Sequence, residues 1–299
     1  MATILAICQQ VARELAVPTP SSLVGSTVQN DIRLLAHANQ TLRDMRDRHK
    51  WPQLTREHSF TTTASTNAYA MPGDFDRQVF ATHWDQSNQW DLIGPVSPTY
   101  WQSRQSGIPS ATPRTEFRVI GYTDTQFYVY PTPSSSGDTF VFEYQSLNCI
   151  RPKTWVTSVA FSASDYCFYN GNFYWTAAGG TTGATPPTHT SGSASDGTVT
   201  WVYTDSQRTS ATVATENYFD EVLNDEDVPL LDRTTLELGI KWRFMEQLGF
   251  QFETYYQQYE RSLKRAKYKI EGAPLLSYLP SKRSIYITLD NVPDGNIGL

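Results

Sequence analysis

The sequence is short of charged residues and cysteines, and it has no long apolar run. Charged residues make up 18% of the chain against 39% apolar residues, a balance typical of a globular protein rather than a disordered one. No run of about eighteen apolar residues could cross a bilayer, so we expect no membrane contact. The cysteines are odd in number, lie far apart and form no CxxC pair, which argues against a disulfide framework or a zinc ribbon: Cys8, Cys149 and Cys167.

The N-terminus lacks the features of a secretory signal. Its first sixteen residues contain no basic stretch ahead of the apolar positions, and Gln9, Gln10 and Arg13 interrupt those positions. We therefore expect the protein to fold in a cytoplasm. A net charge of −6 argues against a protein that grips nucleic acid over a broad surface, but it allows one past which DNA slides without being bound.

No familiar catalytic motif is present. The glycine-rich run of residues 179 to 183 lacks the Lys and Ser/Thr of a P-loop, and neither HExxH nor GxSxG occurs. The carboxylate pairs, Asp74 with Asp76 and Asp225 with Asp227, lie in turn-rich sequence, where Asp commonly supports turns. The histidines show no metal-site spacing: His37, His49, His58, His83 and His189. We expect no catalytic residue, cofactor or metal, and a protein that is not an enzyme; a site assembled from distant residues is the minor alternative.

The pattern of residues 232 to 270 predicts one long helix, on which we expect the other elements of the chain to pack. No proline interrupts it, Asp232 is a candidate N-cap, and basic residues crowd its last turns. At 1.5 Å per residue this helix would be roughly 58 Å long. Its apolar positions recur every three or four residues on one face: Leu236, Ile240, Phe244, Leu248, Phe252, Tyr255, Tyr259 and Leu263.

A second apolar set lies off this main stripe, and two interpretations of it stay open. The helix is either surrounded by its own domain, or it packs internally along one side and against a neighbouring subunit along the other. The residues of the second set are Leu238, Trp242, Met245, Phe250 and Tyr256.

Two shorter helices are predicted at the N-terminus. The first covers about residues 3 to 16 and ends before Pro18. The second starts at a capping-box pattern, Ser26 with Gln29, and continues to about Lys50. The residues expected to face inward are Ile4, Ile7, Val11 and Leu15 in the first helix and Ile32, Leu35, Leu42 and Met45 in the second.

From about Leu54 the pattern changes to short runs of alternating residues separated by turns. Phe140, Phe142 and Tyr144 alternate with Val141 and Glu143, which is the period of a strand. Seven such runs predict an antiparallel sandwich or barrel. The predicted fold class is therefore α+β: a bundle of the two N-terminal helices and the long C-terminal helix, an antiparallel β-sandwich or barrel, and a small inserted all-β domain.

The inserted domain is marked by a change of composition between Trp155 and Tyr203, which is rich in Gly, Ser, Thr and Pro. The pattern YCFYNGNFYWTAAGGTTGATPP followed by SDGTVTWVY resembles a small module found in phage structural proteins, and more distantly the chitin-binding modules. In such modules exposed aromatic residues stack on sugar rings, so Tyr174 and Trp175 are candidate glycan contacts, although most aromatics of so small a domain must build its core. The predicted units are 1–53, 54–154, 155–204, an acidic connector at 205–231, the helix at 232–271 and an extended tail at 272–299.

The connector and the tail each carry one further pattern. The connector has six acids and no base: Glu216, Asp220, Glu221, Asp225, Glu226 and Asp227. Their spacing fits no EF-hand loop, so a solvated loop, a helix N-terminus or a contact with a basic partner is expected. In the tail, Ile285, Ile287 and Leu289 alternate as one strand, which docks on its own sheet or, by strand addition, on another protein.

At NDEDVP and LLDRTTLELGIKWRFMEQLGFQFETYYQQYERSLKRA the chain resembles the head-to-tail adaptors of bacteriophages, in particular the connector or tail tubular A-like proteins of short-tailed phages. The pieces VARELAVPTPSSLVGSTVQNDIRLLAHANQTLRDMRDRHKWPQLTREHSF, YAMPGDFDR and NQWDLIGPVSP resemble that family as well. The motifs follow in the family's order and cover most of the chain outside the inserted domain.

The resemblance implies a structural virion protein in the neck, assembled in the host cytoplasm as a ring, usually of twelve subunits, between the portal and the tail nozzle. Double-stranded DNA would pass through the ring without specific binding. Trp242, Met245, Phe250 and Tyr256 would then contact the adjacent subunit, and Ile285, Ile287 and Leu289 the portal. The inserted domain would be an outward decoration that contacts tail fibres, capsid or glycans. The alternative is a carbohydrate-binding surface protein that uses Tyr174 and Trp175.

Overall fold

The computed structural model describes residues 2–107, 114–121, 125–205 and 220–271. Within these ranges the chain has a mixed α+β fold, as predicted, with helices and antiparallel sheets that alternate along the chain. No described helix combines the length and the apolarity that crossing a membrane requires. The helices are α1 (Ile4–Glu14), α2 (Gln29–Arg48), α3 (Pro98–Gln105), α4 (Arg233–Gln247) and α5 (Glu253–Glu271).

Helices α1, α2, α4 and α5 share one apolar core. Its buried residues come from both ends of the described chain, for example Ile7 from α1, Leu42 from α2 and Phe244 from α4. The two predicted N-terminal helices are confirmed, but the predicted capping box is wrong. Helix α2 starts at Gln29 without a side-chain cap, and the Ser26 hydroxyl donates instead to the Asp31 carboxylate at 2.7 Å.

The predicted single long helix is wrong, because α4 and α5 form a helical hairpin. Gly249 has φ +75°, a left-handed conformation that glycine adopts without strain and that ends a helix. The Gly249 N–H donates to the Glu246 carbonyl at 3.0 Å, and the Phe250 N–H donates to the Met245 carbonyl at 3.0 Å. These two bonds make a Schellman motif, which satisfies the last carbonyls of α4 and turns the chain back.

The returning helix α5 runs antiparallel to α4. The hydroxyls of Thr235, near the start of α4, and Ser262, in the middle of α5, are 2.8 Å apart, whereas Trp242 late in α4 contacts Tyr256 in the first turn of α5. Gly239 makes the close packing possible, since a Cβ at this position would collide with Thr41 Cγ2 of α2 and approach the Tyr259 ring of α5. Residue 239 is therefore the point at which three helices meet.

Two antiparallel sheets follow the N-terminal helices and pack face to face. Aromatic residues of both sheets form their common core; Phe60 of the first sheet stacks on Tyr69 of the second at 4.6 Å between ring centroids. The first sheet has the order β1-β8-β4-β5, with β3 also paired to β8, and the second has the order β2-β7-β6. The strands are β1 (Thr55–Thr61), β2 (Ala68–Ala70), β3 (Phe75–Gln78), β4 (Trp84–Asp85), β5 (Trp90–Asp91), β6 (Glu116–Ile120), β7 (Gln126–Tyr130) and β8 (Thr139–Ser146).

This arrangement corrects two expectations about the β-part. The described strands form layers, as in the predicted sandwich, and close no barrel. Helix α3 was not predicted, although its start carries a recognisable pattern: the Ser97 hydroxyl accepts a hydrogen bond from the Tyr100 N–H, and Pro98 occupies the first turn. Its Arg104 lies buried against Glu116 of β6, with a shortest N–O distance of 2.7 Å.

The segment predicted as an inserted domain has a small core of its own. Asp196 organises it, because its carboxylate accepts hydrogen bonds from the indole N–H of Trp155 at 2.7 Å and from the Gly183 N–H at 2.7 Å. The residues just before this segment, Ile150–Arg151, pair with Val228–Pro229 after it as two short antiparallel strands next to the helical core. The strands are β9 (Ile150–Arg151), β10 (Ala160–Phe161), β11 (Tyr166–Tyr169), β12 (Asn172–Trp175), β13 (Gly180–Thr181), β14 (Ser193–Asp196), β15 (Val199–Asp205) and β16 (Val228–Pro229).

A pair of glycine substitutions distinguishes the hairpin from a continuous helix. In a continuous helix Gly249→Ala would stabilise the protein by about 1 kcal/mol, whereas at φ +75° it should destabilise the protein by about 1 kcal/mol. Gly239→Ala should cost about 1–3 kcal/mol through overpacking against Thr41. Urea unfolding monitored by circular dichroism measures both changes, with Gly249→Asn as the control that tolerates the left-handed conformation. A stabilised Gly249→Ala protein would rule out the hairpin.

Candidate functional site

Lys241, Trp242 and Arg243 of α4 hold the other helices of the bundle in place. Lys241 and Arg243 are buried cations. The ammonium group of Lys241 forms an ion pair with Glu14 of α1, and the guanidinium of Arg243 pairs with Asp44 of α2 at 3.2 Å. Arg243 also donates to the Thr41 hydroxyl at 3.0 Å. Because a buried cation without a partner is strongly unfavourable, these pairs determine which helix faces each side of α4.

Asp44 is the centre of this network. It accepts hydrogen bonds from the Tyr259 hydroxyl of α5 at 2.7 Å and from Arg48 at 2.8 Å, in addition to its contact with Arg243. Burial raises the pKa of Asp44, but the hydrogen bonds outweigh it, so the net pKa lies below the ordinary value. Burial, followed by the bond to Asp44, raises the pKa of the Tyr259 hydroxyl. The carboxylate is therefore ionised and the phenol neutral at any physiological pH.

Trp242, the residue between the two cations, lies inside the hairpin. Its ring packs edge-on against Tyr256 at 5.3 Å and lies 6.3 Å from the rings of Phe252 and Tyr259. The indole is half-buried, and its N–H has no hydrogen-bond partner among the described residues. Its main contacts are thus with its own chain, and its predicted contact with an adjacent subunit stays a prediction.

The turn of the hairpin carries an exposed apolar surface. Phe250 is 58% exposed and Tyr256 38% exposed, whereas Met245 is half-buried. Asp44 contacts Arg243, and the His37 imidazole contacts the Gln247 side chain at 2.8 Å, so α2 runs antiparallel to α4 and its first turns lie at the same end of the bundle. We call this the tip surface and define it by its four exposed aliphatic and aromatic side chains: Val28, Ile32, Leu248 and Phe250.

Sequence reasoning found only part of the tip surface. Ile32 was expected to face inward, but it is 44% exposed, because the core side of α2 is formed by Leu34, Ala38 and Leu42 instead. The residues predicted to contact the portal, Ile285, Ile287 and Leu289, lie outside the described residues. A glycine followed by a large apolar residue, as in Gly249-Phe250, is the pattern that could have located the turn.

The predicted glycan contact at Tyr174 is wrong. Its side chain is fully buried, its hydroxyl donates to the His189 carbonyl at 3.2 Å, and its ring packs on His189 and Tyr203. A ring in this position has no free face for a sugar. Trp175 is half-buried, so the pair does not form an exposed aromatic platform.

Two carboxylates of the acidic connector are structural. Asp225 accepts the backbone N–H groups of Leu23 and Val24 at 2.9 and 2.8 Å, and Asp227 accepts those of Leu223 and Asn224 at 2.9 and 2.8 Å. Asp227 is fully buried, and burial raises the pKa of its carboxyl to about 6. Asp225 and Asp227 therefore anchor the start of the helical part. Asp220, Glu221 and Glu226 are exposed, and Glu216 lies outside the described residues.

The described residues contain no cluster of metal-ligating side chains. No three of their His, Cys, Asp or Glu side chains come close enough to hold a metal ion. All three cysteines are buried and unpaired, and burial raises the pKa of Cys8 and Cys149 to about 12, which keeps both thiols protonated. His83 lies in the aromatic core of the β-part, stacked on Phe117 at 4.2 Å, and burial lowers its pKa to about 4.

The network around Asp44 predicts strong coupling between α2 and α4. Asp44→Asn should destabilise the protein by about 3 kcal/mol, because it leaves the buried Arg243 guanidinium without a carboxylate. Arg243→Met should cost less, about 2 kcal/mol, because Asp44 keeps its contacts with Arg48 and Tyr259. The double variant should lose at least about 1 kcal/mol less than the sum of the two. Urea unfolding of the four proteins in this cycle measures the coupling, and strict additivity would contradict the proposed pair.

Asp227 predicts a specific dependence of stability on pH. Its folded pKa of about 6 lies above the ordinary value of 3.8 for an aspartate, so the folded state holds the proton more tightly and loses stability as pH rises from about 4 to 7. Relative to Asp227→Asn, the wild type should lose up to about 3 kcal/mol across this range. His83 changes stability in the opposite direction, but equally in both proteins, so it cancels in the difference. If the urea midpoints of the wild type and of Asp227→Asn change with pH in parallel, the prediction is contradicted.

Comparison with known proteins identifies the family. No curated protein is significantly similar to the chain. The model of the SU10 adaptor protein family matches residues 2–160, which include α1, α2, both sheets of the β-part and β9. This match covers more than half of the chain. The chain therefore belongs to the SU10 adaptor protein family, a family of bacteriophage structural proteins.

Proposed function

We propose that the chain is one subunit of a ring in the neck of a short-tailed bacteriophage, which joins the portal to the tail nozzle and surrounds the DNA channel. Membership of a phage adaptor family supports this role, since an adaptor acts by contact with other head and tail proteins. The observation that carries the proposal is the tip surface, where four large apolar side chains are exposed at one end of the helical bundle.

The tip surface suits a contact between subunits of a ring. In a cyclic ring each subunit uses two different patches, one for each neighbour, so an exposed apolar patch on one end of the bundle meets a different patch of the next subunit. Burying Phe250 alone would contribute about 1.5–3 kcal/mol per interface. We place Phe250 at the centre of this interface, with Tyr256 and Met245 at its edge and Trp242 behind them as the support that holds the hairpin rigid.

The remaining parts are assigned by their position in the chain. The helical bundle formed by residues 1–53 and 232–271 would be the wall of the ring, which we expect to contain about twelve subunits. The β-part at 54–154 would face the nozzle, and the unit at 155–204 would point outward, where tail fibres are candidate partners. Ile285, Ile287 and Leu289 in the tail at 272–299 would contact the portal by strand addition. The ring would form in the host cytoplasm before joining the virion.

Native mass spectrometry of the purified protein, alone and with the portal of the same phage, tests the proposal. We expect a ring of about twelve subunits, or a monomer that becomes a ring only on the portal. Phe250→Ser should weaken ring formation at least tenfold, since a polar side chain removes the apolar contact at the centre of the interface.

Phe80→Ser is the matched control, because Phe80 is 63% exposed but lies in the β-part, away from the tip surface. It should assemble as the wild type does. A monomer that ignores the portal would refute the adaptor ring. Equal loss of assembly in the two variants would show that the tip surface is not the interface.

A further inference from the structure

Helix α5 presents a run of cations to solvent along its second half. All of them are exposed, whereas Tyr259, Leu263 and Ala266 on the other side of the helix are buried in the core. Positions three and four apart share a face of a helix, so most of these cations lie side by side. We call the four that share this side the basic face: Arg261, Lys264, Arg265 and Lys269.

The basic face lacks anionic partners within the described part of the chain. None of its four side chains forms an ion pair or a hydrogen bond with another described residue, whereas Lys241, Arg243 and Arg48 in the same bundle each pair with a carboxylate. Arg261, Arg265 and Lys269 are successive i, i+4 neighbours of like charge, a spacing that destabilises a helix. The helix thus keeps a repulsive arrangement that no carboxylate of the described residues neutralises by an ion pair.

The helix dipole accounts for only part of this charge. Cations stabilise the C-terminal end of a helix, but the effect is confined to its last turn. Helix α5 ends at Glu271, so Lys269 benefits from the dipole, while Arg261, Lys264 and Arg265 lie more than one turn before the end. These three cations require another explanation.

We propose that the basic face binds the phosphates of double-stranded DNA, independently of sequence, as DNA passes through the neck. This inference rests on the ring proposed above. The face extends roughly 12 Å along the helix, and a duplex carries one phosphate charge about every 1.7 Å of its axis, so several phosphates lie within reach of the long side chains.

The basic face is a local concentration of positive charge in a chain whose net charge is −6. Exposed lysines and arginines make the contacts to phosphate that position a protein without reading sequence. The channel wall, past which DNA was expected to slide unbound, would then carry a basic band, where contacts weak enough to exchange let the duplex slide.

Binding of a labelled DNA duplex to the full-length protein, measured by fluorescence anisotropy from 20 to 200 mM salt, tests the proposal. Arg261→Gln/Lys264→Gln/Arg265→Gln removes three charges and keeps good helix formers. We expect at least a tenfold loss of affinity at low salt, and a decrease of about 2–3 in the slope of log K against log salt. Circular dichroism checks that the variant is folded.

Arg13→Gln/Lys50→Gln/Arg233→Gln is the matched control, because it changes the net charge equally at three exposed positions outside the basic face. Near wild-type binding by this control supports the proposal. Equal losses in the two variants, or no binding by the wild type at the lowest salt, would overturn it. If the basic-face variant binds DNA normally but no longer binds the portal, the face serves an acidic protein partner and the proposed ring still stands.

Discussion

The ion pairs of Lys241 and Arg243 are the constraint on which the helical part depends. Consecutive residues of a helix point about 100° apart, so Lys241, Trp242 and Arg243 face three different directions. Each direction is taken by a different helix: α1 through Glu14, α5 through Tyr256 and α2 through Asp44. Moving any one of the three helices would leave a buried charge or a large ring without its partner, and that cost makes the packing specific.

This constraint joins the two ends of the chain. Helices α1 and α2 precede the β-part, and α4 and α5 follow it, yet one core contains residues from both pairs. The region that matches the adaptor family ends at residue 160, whereas Arg243 and Lys241 lie far beyond it. The family segment therefore completes its helical core only with the hairpin, and the unit predicted at residues 155 to 204 lies between two halves of one core.

The sequence predicted the two N-terminal helices and the short strands of the β-part, but it missed α3 and could not distinguish one long helix from a hairpin. The apolar stripe continues through Leu248 and Phe252, on either side of the turn, so its periodicity contains no visible break. Both arms bury the same kind of stripe, Ile240 on α4 and Leu263 on α5, because each packs on the same core. What ends α4 is the backbone conformation of Gly249, a local property to which hydrophobic periodicity is insensitive.

The aromatic residues of the small β unit show a second limit of the sequence pattern. Alternation places Phe173 and Tyr174 on opposite faces of β12: Tyr174 lies in the core with Cys167, whereas Phe173 packs on Phe168 at 5.0 Å between ring centroids. Both side chains are nevertheless fully buried, so both faces of β12 are covered at this point. Composition indicates that most of these aromatics build a core, but periodicity alone does not show which face of a strand is covered.

The net charge of the chain was a poor guide to its surface, and the hairpin shows why. Charges act over a Debye length of about 8–10 Å in physiological salt, so a cluster on one helix face is felt by a ligand almost independently of carboxylates on the far side. Leu248 and Phe250 of the tip surface and the basic face lie on one hairpin, and roughly 12 Å of helix α5, from Glu253 to Arg261, separates them. In the proposed ring, packing at the tip would therefore fix the position of every basic face, and assembly itself would create a continuous band of positive charge that no single subunit possesses.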